Sequence, residues 1–177
     1  MRTGSARTLA RSALIVCAAA TAAVGISLPT ATARSTEAVS VDYTCTGFGS
    51  PIALIAQVTV DAPASIPRGE TAPLHMTLAT SMTAPLSLPA NQVTGTSSLT
   101  LGGASSGTTA ITGMTNPAPI TAGKPIALTG GTAAAQLDTP GTTTFTPGNM
   151  SFTAMGITVN CTVNGTPPIA ASTEVTA

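Results

Sequence analysis

Rings, charges and sulfur are all scarce in this chain of 177 residues. It has no tryptophan, one tyrosine, three phenylalanines, one histidine and three cysteines, and only 7% of its residues are charged. Each shortage excludes something. Sugar platforms need exposed aromatics, so carbohydrate binding is a weaker expectation for a chain with only four rings. A single histidine, His75, with no Cys-x-x-Cys spacing, excludes the familiar zinc clusters. The only lysine, Lys124, is preceded by Ala118 where a phosphate-binding loop needs its first glycine. What fills the space is threonine, serine, glycine and proline. Threonine is β-branched and suits a pleated, half-wet surface, so this composition favours strands over disorder.

The N-terminus reads as a secretory leader. Arg2, Arg7 and Arg11 precede an uncharged apolar run over residues 12–28, and Ala31-Thr32-Ala33 offers the small side chains that signal peptidase accepts. Cleavage is expected after Ala33. Cys17 lies inside the leader, and Val16 stands where lipidation wants a small residue, so a lipoprotein is not expected. The exported chain would carry Arg34, Arg68 and Lys124 against Glu37, Asp42, Asp61, Glu70, Asp138 and Glu174, a net of −3. Nothing basic remains to attract nucleic acid. No second apolar span follows, so no membrane span is expected in the exported chain.

Alternation dominates the rest. Val39, Val41, Tyr43 and Cys45 share one face of a first strand, and Ile52, Leu54, Ala56, Val58 and Val60 mark a second. Leu74, Met76 and Leu78 alternate with His75 and Thr77. Further strands are expected at 93–101, 108–114, 124–128, 133–137, 142–146 and 149–154, and a last at Ile157, Val159, Cys161 and Val163. Ile66-Pro67-Arg68-Gly69 suggests a type I turn. About eight or nine short strands with Gly/Pro punctuation predict an all-β, antiparallel, Ig-like sandwich, with a β-barrel as the alternative. The expected divisions are a leader at 1–33, a short segment at 34–38, the β-domain at 39–165 and a flexible tail at 166–177.

Without the leader two cysteines remain, in a compartment where thiols oxidise. Alternation points both Cys45 and Cys161 inward, so a Cys45–Cys161 disulfide is expected. The cross-link compensates for a core poor in rings, since Tyr43, Phe48, Phe145 and Phe152 are the only ones. The immunoglobulin tryptophan that packs against such a bridge is missing, so the likeness is architectural only.

Several motifs lead nowhere. Gly103-Ala104-Ser105-Ser106-Gly107 matches G-x-S-x-G, but the only histidine is upstream and a Gly/Ser-rich loop replaces the required helix. His75 falls on the polar side of its strand. Asp42, Asp61 and Asp138 lack calcium-loop spacing. Asn149, Asn160 and Asn164 open glycosylation patterns, and are read as strand and turn residues. No catalytic, cofactor-binding or metal-binding residues are expected. The threonines would suit an ice-binding face, yet the sequence shows no regular Thr-x-Thr ranks on successive strands.

Tyr43-Thr44-Cys45, Ala62-Pro63, Gly69-Glu70, Phe145-Thr146-Pro147-Gly148 and Asn160-Cys161-Thr162, spread over 41–164, give the chain a further likeness. It resembles a family of secreted domains of unknown function common in high-GC Gram-positive bacteria. The resemblance implies an extracytoplasmic location and a disulfide-closed β-sandwich, and it carries over no catalytic residues. The functional expectation is a secreted, non-catalytic module that contacts a protein or cell-wall component at the cell surface or in the medium, through edge strands and Thr-rich faces. The alternative is a carrier holding a small apolar ligand in the sandwich interior.

Overall fold

The computed structural model describes residues 33–34, 37–47 and 49–177. The stretch read as a leader, apart from Ala33, lies outside the described residues together with Cys17 and Phe48. Among the described residues there is no helix, and so none long and apolar enough to cross a membrane. The described residues are all-β, with eleven strands: β1 (Ala33–Arg34), β2 (Val39–Thr46), β3 (Ile52–Pro63), β4 (Ser65–Pro67), β5 (Thr71–Thr83), β6 (Val93–Gly103), β7 (Gly107–Thr115), β8 (Pro125–Gln136), β9 (Gly141–Ala154), β10 (Ile157–Val163) and β11 (Ala171–Thr176).

The ladder runs β10-β2-β3-β5-β8-β7-β6-β9, and β9 pairs back onto β10, so each of these eight strands has a hydrogen-bonded neighbour on both sides. Every pairing in this circuit is antiparallel. A closed circuit is common to a barrel and to a sandwich whose two layers are joined at both edges. Outside it, β1 pairs with β3, and β11 lies between β9 and β4.

Two pairs of expected strands are single elements. The stretches at 124–128 and 133–137 join into β8, because Gly130, at φ +77, absorbs an extra residue between the Met76↔Gly131 and Leu78↔Leu128 partners. The stretches at 142–146 and 149–154 join into β9 across Pro147 and Gly148, opposite a register shift between Ser97 and Leu99. The tail expected to be flexible is corrected in part. Ala171–Thr176 forms β11 with Ala171, Thr173 and Val175 buried. It is fixed by Thr173 Oγ1 donating to Pro63 O at 2.9 Å and by the Arg68 amide donating to Thr176 O at 2.8 Å. The turn after β4 is also revised: Glu70 N–H reaches Pro67 O and Gly69 sits at φ +83, the left-handed third position of a type II turn.

Inside, alternation places most side chains as the sequence predicts, although Ile52, at the start of its strand, is exposed. Val41, Tyr43 and Cys45 are buried from β2, Leu54 to Ala62 alternately from β3, and Leu74, Met76 and Leu78 from β5. Cys45 and Cys161 are register partners on β2 and β10 and form the disulfide, with Cα atoms 4.0 Å apart. The ladder thus carries a covalent bond where its late strand meets its early one.

Tyr43 anchors the same corner. It is fully buried, and its hydroxyl donates to Gly148 O at 3.1 Å, holding the irregular middle of β9. Burial pushes the phenol up from 10.0 to about 12. Because the folded state resists ionisation, its contribution is whole below pH 10. It is lost as the pH rises through about 12, a fall of roughly 2 to 3 kcal/mol. Tyr43 is the only tyrosine, so absorbance at 295 nm reports it alone. We expect a titration midpoint displaced toward 12, coincident with a fall in urea midpoint. In Tyr43→Phe that alkaline fall should vanish, at a cost near neutrality of about 1 kcal/mol for the lost hydrogen bond.

Candidate functional site

The residues considered for chemistry in the sequence are scattered or structural. Ser105 sits in the hairpin loop between β6 and β7, with strands on both sides of the G-x-S-x-G match, and its hydroxyl bonds Thr143 Oγ1 at 2.8 Å. Asp61 and His75 are register partners, and Thr132 and Thr112 continue that row across β8 and β7. Aspartate, histidine and hydroxyl therefore stand side by side, which no local pattern could show. His75 is exposed, and each of the strands bearing this row is paired on both sides. Among the described residues no group of three or more His, Cys, Asp or Glu converges as a metal site would require.

Register builds a different feature. Thr158, Thr153, Thr94, Thr115 and Thr129 are successive partners across β10, β9, β6, β7 and β8. Beside them Thr46, Asn160, Ser151 and Thr96 form a row across β2, β10, β9 and β6. Ranks absent from the linear sequence thus exist across strands. Neighbouring strands are about 4.8 Å apart and alternate residues about 6.7 Å apart, so the two rows make a small grid. One member pair, Thr153 and Thr158, is hydrogen-bonded at 2.9 Å, and Thr94, Thr96 and Asn160 are exposed.

The grid borders a groove of about 370 Å³ whose walls include Thr96, Ser98, Asn149, Ser151, Asn160 and Thr162. The groove opens because the β9–β10 ladder stops at Met150↔Cys161. Beyond that point Asn149 takes over: its Oδ1 accepts the Val163 amide at 3.1 Å, and its carbonyl accepts the Ser98 hydroxyl at 3.3 Å. No residue lining the groove is charged or aromatic.

A second concavity has the opposite chemistry. Met82, Leu88, Val93, Ile126, Phe152 and Val159 surround a cavity of about 120 Å³, and Pro85, Leu86, Ala154, Met155 and Ile157 complete its wall and rim. Ile157 was expected inside with Val159, but it is 49% exposed at this rim, as are Leu86 at 44% and Met155 at 64%. The loop over residues 84–92 is held by the Leu88↔Ile120 bridge and by Asn116. Asn116 is buried, accepts the Val93 amide at 2.8 Å, and donates to Pro89 O and Ala118 O at 2.8 and 3.0 Å.

The chain matches no protein-family model, no curated protein and no solved structure.

Proposed function

We propose that this protein is a secreted, non-catalytic module that works at the cell surface or in the medium, and that its hydroxyl-bearing grid and groove form the contact face. The observation that carries this reading is the exposed part of the threonine row, Thr94, Thr129 and Thr158, with the Thr115 hydroxyl buried inside it, lying beside a groove with no charged lining residue. Such a face meets an uncharged, hydrogen-bonding partner, either a wall component or a protein. The leader-like N-terminus and the disulfide support an extracellular setting. Edge strands contribute less than the sequence suggested, because among the described residues only β1, β4 and β11, of two, three and six residues, lie outside the ring.

Contact through hydroxyls and amides is insensitive to salt, whereas ion pairing is screened over about 3 Å at 1 M salt. In pull-downs from wall and secretome extracts, retention should therefore persist from low to molar sodium chloride. Thr96→Lys combined with Asn160→Lys puts two ammonium groups in the groove. It should weaken retention about tenfold, or about 1.4 kcal/mol, with the thermal midpoint little changed. Failure to retain any partner at any salt, or retention indifferent to these substitutions, would count against the contact face.

A further inference from the structure

The apolar cavity bounded by the β9–β10 hairpin has a lining without a single polar side chain and a mouth that stays open. Water gains little there, because a bound water needs two or more polar partners. Its volume of about 120 Å³ is close to that of engineered apolar cavities, about 150 Å³, that stay dry and take benzene. That is room for roughly four to six carbons of a chain and too little for a strand or helix. Leu86 and Ile157, both exposed, extend the apolar track outward from the mouth.

The hairpin tip gives a second, independent observation. Ala154 and Ile157 are partners, so Met155 and Gly156 form a two-residue loop with φ of +51 and +80. This is the arrangement for which Asn-Gly is the preferred sequence. A methionine in the left-handed region is strained, and this one is also a large apolar side chain held in solvent at the cavity rim. Stability alone favours asparagine at that position. Charge supplies a third. Among the lining residues and those within two positions of them in sequence, Lys124 is the only charged one. Its carbonyl accepts the Ala84 amide at 2.9 Å, next to the lining Pro85, which sets Lys124 beside the rim.

We propose that this cavity binds the alkyl end of a soluble single-chain carboxylate, with its head group beside Lys124. The carrier expectation is thereby narrowed to one pole of the body and one ligand class. It does not rest on the contact face, and Thr96→Lys with Asn160→Lys should leave it untouched.

The test is calorimetric titration of the full exported chain with hexanoate, octanoate and decanoate, and with the alkanols of the same lengths. Affinity should rise about fourfold per buried methylene until the cavity is full, then level off. Carboxylates should bind several-fold tighter than matching alkanols, and Lys124→Gln should abolish that advantage. Met155→Asn should raise the thermal midpoint by about 2 °C or more while weakening chain binding about tenfold, opposite signs that misfolding cannot produce. Affinity independent of chain length, or unchanged by Met155→Asn, would overturn the proposal. So would co-sedimentation with phosphatidylglycerol vesicles without binding of the monomeric probes, which would make the tip a membrane contact. A concentration-dependent dimer abolished by Met155→Asn would do the same in favour of a second copy.

Discussion

Cys45→Ala combined with Cys161→Ala should lower the unfolding free energy by about 5 kcal/mol. The bond spans 116 residues of sequence, and the chain-entropy relation for a loop of that size gives about 4.8 kcal/mol at 25 °C. Native domains hold about 5 to 15 kcal/mol in all, so this single bond decides whether the body persists. The effect acts largely on the unfolded chain, because β2 and β10 remain register neighbours and their ladder hydrogen bonds do not depend on sulfur. Urea titration of the native protein with and without reductant, beside the double variant, measures it. The reduced protein and the variant should share one lowered midpoint and a steeper denaturant dependence, as a less constrained unfolded state exposes more surface. A loss below about 1 kcal/mol would mean that the unfolded chain is already compact around these strands.

Asn116→Leu is the second large effect. One buried side chain satisfies the buried Val93 amide and the carbonyls of Pro89 and Ala118, two residues that are themselves exposed. Leucine supplies volume but no partners, and each orphaned buried group costs about 1 to 3 kcal/mol. The expected loss is about 2 to 4 kcal/mol, most of it from the orphaned Val93 amide, read as a shift in urea midpoint. Hydrogen exchange should be fastest at the Val93 and Leu88 amides, because these residues tie down the loop over the apolar cavity. An unaltered Val93 amide would show that the side-chain cap is dispensable.

Much of the interior was legible in the sequence because period-two alternation is local. Val41, Tyr43 and Cys45 needed only their own strand to announce an inward face, and the exclusion of thiol chemistry in favour of a bridge followed. Errors arose where a local rule met a non-local correction. Gly130 with Gly131, and Pro147 with Gly148, look like strand breaks, yet the partner strand shifts register and the ladder continues. β11 was missed because Ser172, Thr173 and Glu174 resemble a solvated end, and only packing against β9 and Pro63 gives Thr173 a buried place. The threonine grid could not be foreseen at all. Thr94, Thr115, Thr129, Thr153 and Thr158 are spread along the chain, and register alone brings them into one row. The rim Met155 was equally silent, since nothing in Met-Gly signals the turn that Asn-Gly would have declared.

The closed circuit of strands also bears on colloidal behaviour. With only 7% charged residues, copies of this molecule repel one another weakly when crowded. Sheet proteins of that kind risk stacking into fibrils wherever one long strand offers its unpaired amides to the next copy. Among the described residues all eight circuit strands are flanked on both sides, so none of them offers a long free edge as a template for fibril growth. Topology thus works against fibril stacking where electrostatic repulsion between copies is weak.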